Sequence, residues 1–218
     1  MGPILIIPKQ KLQKTLIGTV SISLSDTVPK LETPFGLELI IDGGGSEIAV
    51  NTIIYRRIPF SCEIISASLM ADQCGEIVVD IWKDIWANYP PINDDSITAS
   101  APLTIEAVKV GTATATTADH LIDTTADQFA VTDIGKLVHN TTDNTYALIT
   151  AYNSDTDLTL DTDIMESAES YEILPANSED INLVGWNKSI VANDVLAYNV
   201  DSCSRITRIT IVLVVRKL

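Results

Sequence analysis

Apolar and polar positions alternate with a period of two through much of the chain, the repeat of a pleated strand that buries one face. Residues 76–82 read Glu-Ile-Val-Val-Asp-Ile-Trp, which places Ile77, Val79 and Ile81 on one face and Val78, Asp80 and Trp82 on the other. Asp80, set among apolar neighbours, needs hydrogen-bond donors; a structural carboxylate held by backbone N–H groups of a nearby loop is expected. Further strands are predicted over 15–24, 35–41, 63–70, 145–152, 157–160, 195–200 and 206–215, all rich in Val, Ile, Thr or aromatic residues and bounded by Gly, Asn, Asp or Ser. Gly43, Gly44 and Gly45 break the chain sharply after the second of these. No window sustains an apolar i, i+3, i+4, i+7 pattern, and the nearest approach to a helix is 125–135. Many short strands with few helices predict an all-β fold, a β-sandwich of jelly-roll-like kind.

Composition divides this all-β chain. Residues 111–174 hold twelve Asp and Glu against the single Lys136, so they carry −11 of the net −15. A shift of this size marks a separate module. The expected organisation is an N-terminal arm over 1–30, a β-sandwich built from 31–110 plus 175–218, and a small inserted acidic β-domain over 111–174. Insertion into a surface loop costs little loop entropy. The net charge also argues against nucleic acid as partner, since phosphate binding needs a basic surface. No apolar run reaches the 18 residues of a membrane span, so no membrane insertion is expected. The opening residues have no basic stretch ahead of their apolar run and do not read as a signal peptide. Cys62, Cys74 and Cys203 cannot all pair within one chain and read as small apolar side chains.

Three groups of residues are candidates for contact. In the insert, Asp155, Asp157, Asp161 and Asp163 share one strand parity, with Leu158, Leu160 and Ile164 on the other. Such a density of hard oxygen ligands suits calcium, and no other cofactor is expected; the alternative is a solvated acidic face. In the sandwich, Trp82, Trp86, Tyr89 and Trp186 are candidates for stacking on a glycan or for anchoring a subunit interface, clustered near one end. In the arm, Ile4, Leu5, Ile6 and Ile7 form an apolar run beside Lys9, Lys11 and Lys14, with no acidic residue from 3 to 14. That combination suits docking onto another protein's sheet edge; the alternative is a terminal strand of the same sandwich.

Catalytic chemistry is hard to place. The chain has no GxSxG, HExxH or phosphate-binding glycine loop. Its two histidines, His120 and His139, both lie in the insert, and 139–143 reads as a turn between strands. No catalytic residue is assigned and a non-enzymatic role is expected; a two-carboxylate glycan-degrading enzyme is the remote alternative.

The order of motifs in the outer module carries a resemblance. It comprises LIIDGGGS at 39–46, IPFSC at 58–62, residues 69–83, Pro90-Pro91, Asp95-Ser96-Ile97 and Ala101-Pro102. LVGW at 183–186, NDVL at 193–196, VDS at 200–202 and the terminal strand over 208–215 complete it. Together these resemble a β-sandwich module of tailed-bacteriophage virion proteins, often found in tail-fibre and other appendage or surface proteins. The likeness spans 37–102 and 182–218, and the insert separately resembles small β-domains of phage structural proteins. The resemblance implies a virion structural protein, made in the host bacterial cytoplasm and assembled as a homotrimer with other virion proteins. It further implies a tail-fibre or appendage role with a host-surface glycan or receptor as partner, the alternative being a capsid decoration or head-fibre protein.

Overall fold

The computed structural model describes residues 33–218. The strand expected over 15–24 and the arm with Ile4, Leu5, Ile6, Ile7, Lys9, Lys11 and Lys14 lie outside the described residues. In chain order the strands are β1 (Phe35–Asp42), β2 (Ile53–Arg57), β3 (Cys62–Ala71), β4 (Glu76–Ile85), β5 (Leu103–Ile105), β6 (Lys109–Thr112), β7 (His120–Ile122) and β8 (Leu137–Asn140). They continue as β9 (Thr145–Ser154), β10 (Asp157–Leu160), β11 (Ser170–Leu174), β12 (Asn177–Asp180), β13 (Ser189–Ile190), β14 (Asp194–Ser204) and β15 (Arg208–Lys217).

Two antiparallel sheets face each other. One has the order β1-β15-β3-β12, with β13 also pairing β3; the other has the order β2-β14-β4-β5. The late strands β14 and β15 are each inserted between two early ones, which is the interleaving of a jelly roll, two Greek keys closed into a sandwich. Alternation drives this packing. Along β15, Ile209, Ile211, Leu213 and Val215 are fully buried, and they meet Ile77, Val79 and Ile81 of β4 and Leu196, Tyr198 and Val200 of β14 in one core. Each such aliphatic side chain contributes about 1.5–3 kcal/mol on burial, so the face that alternation assigns to the interior decides the register.

Residues between β5 and β12 form a third antiparallel sheet, β6-β11-β8-β9-β10-β7. It has its own core, in which Leu121, Val138, Ile149, Leu158, Tyr171 and Ile173 are fully buried or nearly so. Its first and last strands pair with each other, Gly111 opposite Tyr171, so the chain enters and leaves the insert side by side. The sheet begins at Lys109, two residues before the break in composition.

Two local expectations differ from the structure. Residues 125–135 contain a single 3-10 turn, Val131–Asp133, and no α-helix. The reason is Asp133: its carboxylate is drawn inward to Lys109 and to Lys136 Nζ at 2.9 Å, and accepts the Ala130 N–H at 2.9 Å, which closes the turn. Residues 139–143 are likewise only partly a turn. His139 and Asn140 complete β8, and Asn140 Oδ1 then accepts the Thr142 N–H at 2.9 Å to reverse the chain.

Antiparallel strands send alternate connections to opposite ends of a sandwich. The β1–β2, β3–β4 and β14–β15 connections share one end with the insert, because β5 runs back along β4 from Val79 toward Ile77 before the chain departs. The β2–β3 and β4–β5 connections and the 181–193 stretch lie at the other end. β4 is ten residues long, so the two ends are about 30 Å apart at roughly 3.3 Å per residue.

Candidate functional site

The candidate site lies at the end away from the insert. The outward face of the second sheet carries, in register across β2, β14 and β4, the rows Tyr55–Ala197–Trp82 and Arg57–Val195–Asp84. Ala197 and Val195 are buried although they point away from the sandwich core. The chain leaving β4 covers this face through the 3-10 turn Trp86–Asn88 and the stretch that follows.

Asp80 holds that covering segment in place. Its carboxylate accepts the Trp82 indole N–H at 2.7 Å, the Ser96 hydroxyl at 2.8 Å, the Thr98 hydroxyl and its neighbour's N–H at Ile81, at 2.7 Å. Three of these four donors are side chains, so the expected backbone loop donors are replaced by hydroxyls and an indole. The returning chain also pairs alongside β4, with the Ile97 N–H donating to the Ile81 carbonyl at 2.8 Å. A buried carboxylate satisfied in this way fixes geometry.

What this clamp presents is a group of exposed rings. Trp86 is 53% exposed, Tyr89 48% and Tyr55 39%. The Trp86 and Tyr89 ring centres are 5.6 Å apart, tilted by 33°, and Tyr89 meets Tyr55 edge-on at 5.2 Å. The Arg57 guanidinium lies 4.6 Å from the centre of the Trp86 ring and donates to Asn193 Oδ1 at 2.8 Å. Ile85, next to Trp86 in the chain, and Ile92, three residues beyond Tyr89, are also more than half exposed. Flat apolar faces with polar rims and one fixed cation are equipped to stack on a ring and to hydrogen-bond its substituents.

The four aromatic residues singled out from the sequence therefore separate. Trp86 and Tyr89 stand together at the surface. Trp82 is buried beneath the loop as an Asp80 donor, and Trp186 is buried with its indole N–H donating to the Ala101 carbonyl at 2.8 Å. Tyr55 and Arg57 complete the group, and sequence reading missed them: β2 is a five-residue strand, and nothing local shows that it borders the segment after β4.

The insert's aspartates do not converge. Asp157 meets the His120 ring at 2.7 Å, Asp161 accepts the Leu148 N–H at 2.7 Å, and Asp163 accepts the Asp119 N–H at 3.3 Å. Asp155 is exposed in the turn before β10. Among the described residues no three His, Cys, Asp or Glu side chains are grouped to hold a metal, because β10 spans only Asp157–Leu160 and the chain bends beyond it. Of the cysteines, Cys62 is buried, while Cys74 and Cys203 are partly exposed and all three are free. A cleft of about 400 Å³ between the two linkers of the insert offers Glu106, Glu179 and Asp180 and no aromatic ring.

The chain matches no protein-family model and no curated protein. The fold and site define it as a two-sheet all-β protein with an exposed aromatic surface at one end and an acidic β-lobe at the other.

Proposed function

We propose that this chain is a non-enzymatic structural protein of a tailed-phage virion. In this reading it is a homotrimeric tail-fibre or appendage component that other virion proteins hold on the particle. The jelly roll is the scaffold, and the exposed Tyr55, Trp86 and Tyr89 rings are the surface that meets the host cell. The observation that carries this reading is the placement of those rings, Trp86 and Tyr89 on an anchored loop and Tyr55 beside them on β2, at the end opposite the insert, where a partner can reach them. A jelly roll alone would not argue for it, because this fold hosts many activities. The sequence resemblance supplies the virion assignment, and the anchored aromatic surface supplies the contact role.

The test is made on intact particles and with the free protein. Antibody against residues 111–174 should label the tail or neck, and added free protein should reduce adsorption of particles to cells. Labelling of the head in many copies, with greater heat resistance of heads that carry the protein, would replace this reading with capsid decoration. Release of reducing ends from host polysaccharide, lost on replacing one Asp or Glu, would replace it with an enzyme.

A further inference from the structure

We propose that the surface formed by Tyr55, Trp86 and Tyr89, with Arg57 stacked on the indole, is a binding site for polysaccharide bearing carboxylate sugars. The proposal rests on reading that surface as a contact surface and adds the charge of what it takes.

Arg57 is the reason. In a chain with 29 acidic and 14 basic residues, Lys83, Lys109, Lys136 and Arg216 each pair with a carboxylate. Yet among the described residues Arg57 makes no ion pair. Its side-chain partners are the neutral Asn193 amide oxygen at 2.8 Å and the Trp86 ring at 4.6 Å. A guanidinium has five donors in a planar fork matched to a carboxylate, and Asn193 accepts from only one nitrogen. The nearby carboxylates are engaged elsewhere. Asp84 accepts the Ile85 N–H at 2.7 Å and the Asn88 amide at 3.3 Å. Asp194 lies 3.9 Å from Lys83 and accepts the Val191 N–H at 2.8 Å. The guanidinium is thus held at the edge of the ring group with donors to spare.

A sugar lying on Trp86 and Tyr89 would bring its ring substituents against this fork. A carboxylate there meets two N–H groups, whereas a neutral sugar desolvates the charge and returns a weaker bond. Most of the chain's net negative charge, −11 of −15, resides in the insert, about 30 Å away along β4. That is several times the Debye length of about 8 Å at physiological salt, so the insert's charge is screened from this surface.

The test is calorimetric titration of the full chain in 0.15 M salt. The ligands are polygalacturonate oligomers and the same oligomers with every carboxyl reduced to the alcohol. The charged oligomer should bind at least tenfold more tightly. Arg57→Gln should remove that preference while leaving weak binding of the neutral oligomer, and Trp86→Ala should weaken both at least tenfold. Tyr89→Ala is the second surface variant, and the near-ultraviolet circular dichroism of each variant checks its fold. Equal affinity for the two oligomers, or an unaltered preference in Arg57→Gln, overturns the charge inference. If Trp86→Ala still weakens both, the contact reading survives. Failure to bind either oligomer overturns the proposal. If Trp86→Ala then also abolishes a concentration-dependent self-association, the surface is an interface between copies.

Discussion

The Arg205 guanidinium lies 4.1 Å from the centre of the Tyr146 ring and joins the β14–β15 turn of the jelly roll to β9 of the insert. The opposite side of the pairing is also occupied: His139 stacks on Tyr146 with ring centres 4.4 Å apart and planes 6° from parallel. Arg205 is fixed at its backbone, where its N–H donates to Glu47 at 2.7 Å and its carbonyl accepts the Gln73 amide. The insert is therefore steadied by a contact remote in sequence from both of its linkers. Arg205→Ala should leave the two cores intact and loosen their junction, at a cost of about 1 kcal/mol, the usual worth of a partly exposed cation–π contact. Hydrogen exchange should quicken in β8 and β9 with little change in β14; unchanged exchange in the insert would remove Arg205 from this role.

Asp80→Ala removes the common acceptor of Trp82, Ser96 and Thr98 and strands three buried or half-buried donors. A loss of about 3 kcal/mol is expected, since buried donors left without partners carry their full desolvation penalty. Denaturant unfolding measures it, and protection of the amides over 86–98 should fall with it. A loss under about 1 kcal/mol would mean that the loop is held by its packing.

Acid should weaken the insert. Burial pushes the Asp133 carboxyl up, but the Lys109 and Lys136 ammonium groups and the Ala130 N–H outweigh it and hold the group below the ordinary carboxylate value. Asp123 is also held low: the Thr125 hydroxyl and N–H, with the Tyr171 hydroxyl, outweigh its burial. A carboxyl depressed in the folded state stabilises fully above its unfolded value, about 3.9, and that stability is lost as pH falls through the folded value. Tyrosine near-ultraviolet circular dichroism should therefore report loosening of the insert below about pH 4, with a shallower acid dependence in Asp133→Asn. An insert unchanged at about pH 2 would contradict this. Glu76 works in the opposite sense. Burial and the Glu172 carboxylate raise its value, so its protonation adds stability as pH falls through that raised value, and Glu76→Gln should stabilise the chain at neutral pH.

Tyr198 is fully buried, and its hydroxyl has no hydrogen-bond partner among the described residues. Burial pushes the phenol well above its ordinary value. Tyr198→Phe removes an unsatisfied polar group while keeping the ring, so it should be neutral or stabilising by up to about 1 kcal/mol. A thermal melt that falls by several degrees would show instead that the hydroxyl has a partner.

Sequence pattern located the long strands well. β1, β3, β4, β9, β14 and β15 contain or closely overlap the predicted segments, because each offers enough alternating positions for a period of two to stand out; the four-residue β10 was legible as well, from Leu158 and Leu160 alternating with Asp157 and Thr159. The strands it missed, β2, β5, β6, β7, β8, β11, β12 and β13, have two to five residues each. In so few positions a period seldom stands out, and these strands exist because a neighbouring strand offers them an edge to pair with. The site was half legible for the same reason. Trp86 and Tyr89 are three residues apart and were read together, whereas Tyr55 and Arg57 come from a strand some thirty residues earlier.

Alternation and composition were local properties, and they were enough to define an all-β chain and a lobe that carries most of the negative charge. They were enough because each strand's buried face and each segment's charge are properties of consecutive residues. The interleaving of β14 and β15 among the early strands, the burial of Trp82 and Trp186 against the exposure of Trp86, and the scattering of the insert's aspartates were settled only by the folded chain. Each of these depends on which distant segments become neighbours, and that choice is made by the core as a whole, where apolar area removed from water outweighs any one residue's preference.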